Sequence, residues 1–175
     1  FKKGLEDILI LSGINHYKFL YTSKTEGLQL NIQSFILENN NRSLSWVNSN
    51  FASLGGSPFE YLENRICDEI RKKPSIVAHE KKLKTSATRN DVRNCFHLFN
   101  NWHMLNPRFK SQDKSYLINN LNEEIREAID QNLDKLIRKL DLVNAIKAQM
   151  EKRARIKEID DATKNLRKTA RIKIA

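Results

Sequence analysis

Asp68 and the run Glu80-Lys81-Lys82 set two carboxylates and a lysine in the D…ExK order of Mg²⁺-dependent nucleases. In that chemistry the acids hold the metal and the lysine, here Lys82, supports the attacking water. Such sites need a strand end, and "SIVA", just before Glu80, is the segment that would supply it. Asp68, however, falls inside a strongly amphipathic helical pattern, and these residue types recur throughout the chain. Cys67, His79, Cys95, His97 and His103 are of the right kind for zinc. They form no C-x-x-C pair and no helical His-x₃-His, and on a helix His97 and His103 would project to different sides. Neither a glycine-rich phosphate loop nor a nucleophile triad occurs. No catalytic residue, metal or cofactor is assigned.

The remaining chemistry is charge. Among 175 residues, 31 Lys and Arg outnumber 21 Asp and Glu, for a net charge of +10. The excess sits in two islands. Residues 65–93 hold nine cations against four acids, and residues 147–175 hold ten against four, whereas residues 107–146 balance. Clustered cations gain from counterion release on a phosphate backbone. The candidate nucleic-acid contacts are therefore Arg65, Arg71, Lys72, Lys73, Lys81, Lys82, Lys84, Arg89 and Arg93 in the first island. In the second they are Lys152, Arg153, Arg155, Lys157, Arg167, Lys168 and Arg171. Duplex DNA ranks ahead of RNA as the partner.

Several elements must carry these residues. All five glycines lie in the first third of the chain, and the last proline is Pro107. This divides the chain into an α-rich head, 1–107, and a helical tail, 108–175. In the head, "LEDILILSG" reads as a short helix closed by Gly13. "HYKFLYTS" and "LQLNIQSFI" read as a β-hairpin over 16–36. Ser43 suits the N-cap of a helix "LSWVNSNFASL". Ser57, Pro58 and Glu60 spell a capping box with proline at the first helical position. The helix they start, "PFEYLENRICDEIRKK", places Phe59, Leu62, Ile66 and Ile70 on one face. "RNDVRNCFHLFNNWHML" reads as a further helix burying Val92, Phe96, Phe99 and Trp102, and Trp46 and Tyr61 also fall at core spacings.

In the tail, apolar residues recur in steps of three and four at Ile118, Leu121, Ile125, Ile129, Leu133, Leu136, Leu140, Val143, Ile146 and Met150. That is a heptad-like seam, with a phase slip over 152–157. It predicts a long self-associating helix, a homo-oligomer held through these ten residues. The fold class expected is mainly α: a small head followed by a coiled-coil tail with a basic end.

The corner "GGSPFEYL", residues 55–62, resembles the G-x-S-P-x-x-Y-L that follows the second recognition helix of AraC/XylS-type regulators. With Trp46 it also resembles the L-G-G-x-x-P corner of some toxin-binding antitoxins. Either resemblance implies a helix–turn–helix at this point. Yet "SLSWVNSNF" holds no Lys or Arg with which to read a major groove.

No apolar run approaches the length of a membrane span, and two cysteines make no disulfide framework. An intracellular protein, cytoplasmic or nucleoid-associated, is expected. The function predicted is non-enzymatic binding of duplex DNA. A scaffold whose seam takes a partner protein is the first alternative, and the Mg²⁺-dependent nuclease the second.

Overall fold

The computed structural model describes residues 7, 16–22, 30–38 and 43–172. Along 16–22 and 30–38 it describes the backbone, Ile36 excepted, and likewise at 124, 128, 134–136, 139 and 168–172. The short helix expected to end at Gly13 and the side chains of Leu136, Lys168 and Arg171 lie outside the described residues.

Strands β1 (His16–Thr22) and β2 (Leu30–Glu38) pair antiparallel, from His16↔Leu37 to Thr22↔Asn31. The other side of β2 pairs antiparallel with β5 (Phe96–Met104). Beyond β5 lies β3 (Leu44–Val47), parallel to it, and then the two-residue β4 (Asn50–Phe51). The result is a mixed five-stranded sheet of order β1-β2-β5-β3-β4. Between β4 and β5 the chain runs through three helices, α1 (Ser57–Arg71), α2 (Pro74–Leu83) and α3 (Arg89–Arg93). After β5 come α4 (Glu123–Lys139) and α5 (Val143–Ile172).

One expected helix is a pair of strands, and another is helical only over Arg89–Arg93 and then runs on as a strand. "LSWVNSNF" turns back on itself at Asn48 and Ser49, whose φ angles are 47° and 68°. Two successive positive φ values match the type I′ turn, whose twist suits a tight hairpin. Ser43 caps nothing here and donates to Glu63 instead. "FHLFNNWHM" satisfies both periods, because aromatics at 96, 99 and 102 also fit a helix. The nine-residue register with β2 decides for the strand: Phe96, Leu98, Asn100 and Trp102 are buried on one face. Phe99 and Trp46 stack on the opposite face, with ring centroids 6.2 Å apart. By spacing alone both are core candidates.

Helix α1 is the inner wall. Phe59, Leu62, Ile66 and Ile70 are buried, and the Phe59 ring meets Trp102 edge-on at 4.9 Å. Its start is not the expected capping box. Gly56 occupies the cap position with no side-chain cap, and Glu60 accepts a hydrogen bond from the Tyr116 hydroxyl. A capping box is found instead at Thr88 and Asp91, where α3 begins.

Gly56 is instead a point of close approach. Ser57 N donates to Leu117 O at 3.0 Å, and Leu117 N donates to Gly55 O at 3.0 Å. A Cβ on Gly56 would lie 2.4 Å from Leu117 O and 2.7 Å from Leu117 Cβ. Backbone cannot swing aside as a flexible side chain can. Gly56→Ala should therefore lower stability by about 1–3 kcal/mol, read as a drop in thermal midpoint. An unchanged midpoint would show that the corner can open.

The tail is not a free coiled coil. Leu121, Ile125, Ile129, Leu133, Leu140, Ile146 and Met150 are buried in the same core as Ile36, Leu62 and Leu98. Val143 packs against it, and Ile118 alone of the described seam residues is exposed. The seam breaks at residues 140–142, between α4 and α5, rather than at 152–157. α4 packs on α1 and β1, while α5 packs on α2 and α3. Apolar positions along a helix require a partner surface, and for the described seam residues other than Ile118 this chain provides it internally. The mainly-α head with a coiled-coil rod is therefore corrected to an α/β fold with helices on a mixed sheet.

Candidate functional site

The nuclease constellation does not assemble. Asp68 lies on α1 and accepts from Arg89 Nε at 2.8 Å and Nη2 at 2.6 Å. That pairing holds its carboxyl below the usual aspartate range. Glu80 lies within α2, not on a strand end, and accepts from Ala87 N at 2.6 Å. Among the described residues no group of three His, Cys, Asp or Glu could hold a metal ion. Burial pushes the Cys67 thiol up to about 12 and that of Cys95 to about 11, so both stay inert thiols. His97 and His103 share a strand and so point to the same side of it.

The basic islands divide into two kinds of residue. Most arginines clamp the fold. Arg65 bonds Asp130 across α1 and α4 at 2.7 Å, and Arg71 pairs with Asp68. Arg93 bonds Asn64, and Arg153 joins α5 to Asp91 of α3 at 2.9 Å. Lys73 Nζ caps the end of α4, donating to Ile137 O at 2.9 Å and Leu140 O at 3.1 Å. Lys72 pairs with Glu69. Lys81, Lys82 and Lys84 at the end of α2, and Lys152, Arg155, Lys157 and Arg167 on α5, are exposed. α2 and α5 pack together, with Arg153 Nη2 reaching Ser86 O at 2.7 Å. Two islands far apart in sequence therefore meet at one helix pair.

A second feature escaped the sequence reading. Residues 108–118 form a tight loop, with Ile118 N donating to Arg108 O at 2.8 Å and Lys110 N to Tyr116 O at 3.0 Å. Buried Leu117 roots it against Gly55 and Gly56. At its tip Asp113 accepts from the Ser111 and Ser115 hydroxyls and from Ser115 N. Those hydrogen bonds, the Ser111 one first, hold its carboxyl below the aspartate range. They also fix Lys114, which is exposed at φ 56°. Left-handed backbone in a non-glycine residue is a strained conformation that clusters at functional sites. The other positive-φ residues have ordinary reasons, Asn48 and Ser49 as a hairpin turn and Lys84 as a helix cap. The only sequence signal was a polar run, "KSQDKS", between Pro107 and the helix.

Against known proteins, the chain matches the family model described as DNA gyrase B over residues 9–166. In fold it is similar to the topoisomerase IV ATP-binding domain of Francisella tularensis, with TM-score 0.63 and 20% identity, covering 87% of this chain and 44% of that one. It is similar to the 43K ATPase domain of Thermus thermophilus gyrase B, with TM-score 0.56 and 17% identity, covering 95% and 46%. It is similar also to the ATPase region of Saccharomyces cerevisiae topoisomerase II, with TM-score 0.53 and 20% identity, covering 85% and 36%. This chain thus spans less than half the length of each. No curated protein matches it. These findings overturn the non-enzymatic DNA-binding protein expected from sequence. The coiled-coil scaffold goes with it, since its seam is internal.

Proposed function

Since this chain belongs to the DNA gyrase B family, we propose that it serves as one half of a type II topoisomerase ATPase region, the half that links the nucleotide to DNA. The carrying observation is coverage: the family match takes in residues 9–166, while the chain spans only 44% of the Francisella ATP-binding domain. The sequence has no glycine-rich phosphate loop, so the rest of that region would cradle the nucleotide. The contribution of this chain is Lys114. A lysine ammonium is a compact point charge suited to phosphate oxygens, and here it stands on a loop braced by Asp113 and rooted at Leu117.

DNA as partner and self-association are both consistent with this family. Seven seam residues are buried in the core and Val143 packs against it, so self-association would use a surface other than theirs. For DNA the surface is the α2–α5 pair with Lys81, Lys82, Lys84, Lys152, Arg155 and Lys157. No helix among the described residues is long and apolar enough to cross a membrane, and the place of action is with the DNA.

In an intact subunit, Lys114→Ala should lower the rate of ATP hydrolysis roughly tenfold or more, about 1.4 kcal/mol of barrier, without shifting the thermal midpoint. Hydrolysis at the unmodified rate would remove Lys114 from the nucleotide. Charge reversal at Lys81, Lys82, Lys152 and Arg155 should weaken duplex binding and flatten its salt dependence. Unchanged binding would place the DNA elsewhere.

A further inference from the structure

A cleft of about 440 Å³ lies between α1, the β3–β5 pair and the Gly55–Gly56 corner. The volume lies in the range of small-ligand sites. Its floor is polar where the flanking core positions of β5 are apolar. On the core face β5 offers Phe96, Leu98, Asn100 and Trp102, and β3 offers Ser45 and Val47. Ser45 and Asn100 are direct register partners, and Asn100 Nδ2 donates to Ser45 Oγ at 3.2 Å. Both are buried, Asn100 at 0% exposure.

The opposite wall is acidic. Glu63 follows Phe59 by one helical turn and turns the same way, into the cleft. Both of its contacts fall on one oxygen, Oε1: Ser43 Oγ donates to it at 3.3 Å, and Arg93 Nε pairs with it at 3.3 Å without hydrogen-bond alignment, which leaves Oε2 open. The Arg93 guanidinium instead donates to Asn64 at 3.0 Å and Asn90 at 3.4 Å. Burial, the largest influence, raises the Glu63 carboxyl above the usual range in spite of Arg93 and Ser43. Glu60 adds a second carboxylate at the rim. Two acids thus face one guanidinium, on a chain of net charge +10.

We propose that this cleft binds an organic cation carrying N–H donors, an ammonium or a guanidinium, between Glu63 and the Ser45–Asn100 floor. Glu63 accepts a charge-assisted hydrogen bond at its open Oε2, and Ser45 and Asn100 orient the remainder of the ligand. The cation comes either from a free polyamine or from a lysine or arginine side chain of a polypeptide.

The test is amide NMR of the 175-residue chain titrated with N-methylguanidinium, putrescine and N-acetyl-arginine methylamide. Tetramethylammonium, a cation without N–H groups, is the control. Saturable shifts at Ser45 and Asn100 are expected from the three donors and not from the control. Glu63→Gln should weaken them roughly tenfold or more. Glu60→Gln, a rim change that leaves the Glu63 carboxylate in place, should weaken them less and keeps the test open if Glu63→Gln unfolds. Binding should fade as pH falls through the raised Glu63 value. Tighter binding of putrescine, which can span both carboxylates, would identify a polyamine. Tighter binding of the arginine derivative would identify a side chain. Absence of saturable shifts at tens of millimolar, equal shifts from tetramethylammonium, or affinity unmoved by either variant that folds would overturn the proposal.

Discussion

Truncated after Pro107, the chain should show no cooperative unfolding transition. In the structure that cut strips α4 and α5 from α1, α2 and β1. It removes Ile125, Ile129, Leu133, Leu140, Ile146 and Met150, all buried. At roughly 1.5–3 kcal/mol for each fully buried aliphatic side chain, the loss matches or exceeds the ~5–15 kcal/mol that holds a whole domain. It also removes Asp130 from Arg65, Arg126 from the Tyr61 ring, and Leu117 from Gly56. Urea denaturation followed by far-UV circular dichroism would decide the matter. A sigmoidal melt of the 1–107 fragment would mean that the sheet and α1–α3 form a sufficient core. By the same reasoning Leu133→Asp should unfold the protein, not convert an oligomer to a folded monomer.

Replacing Asp91 by alanine should cost roughly 2–4 kcal/mol. Asp91 both closes the cap of α3 and ties α5 to it. Its carboxylate accepts from Thr88 N at 2.8 Å and from the Thr88 hydroxyl at 2.8 Å, closing the cap of α3. It also takes Arg153 Nε at 3.0 Å and Nη2 at 2.9 Å, which holds α5 against α3. The Asp91 side chain is 6% exposed and that of Arg153 40%, so the stranded guanidinium recovers some hydration and the cost stays below that of a fully buried pair. Burial alone would raise the Asp91 carboxyl, but the hydrogen bonds from Arg153 and Thr88 outweigh it and hold the carboxyl below the usual range. A depressed folded value gives stability that is present above the unfolded pKa and lost as pH falls through the folded one. The difference between the native protein and Asp91→Ala should therefore be full at neutral pH and shrink below about pH 4. A difference that did not narrow in acid would show that the clamp is not ionic.

Helix α1 and its buried face were legible because local signals agree there: Pro58 at the start, and Phe59, Leu62, Ile66 and Ile70 at helical spacing. β5 was not, because its aromatics fit a period of three as well as a period of two. Only β2, pairing from Leu30↔Met104 to Glu38↔Phe96, settles which period is used. The basic islands were legible as composition, but composition does not separate a clamp from a free cation. Arg153 and Lys152 are neighbours in sequence, yet the first is tied to Asp91 and the second faces solvent. Lys114 was missed because a left-handed φ at a loop tip leaves no mark in residue type.

By itself the sequence determined the charge, the positions of the breakers and the apolar stripe from Leu121 to Met150, since each is a property of local order. What covers that stripe was decided only by the tertiary structure. A heptad-like seam specifies that a partner surface must exist, not whose it is. Here the break at 140–142 lets α4 turn onto α1 and β1, and α5 onto α2 and α3, so that one chain satisfies itself. The physical reason is that apolar burial has no direction. Any surface that removes water from those side chains will do, and the nearest was the chain's own sheet-and-helix layer.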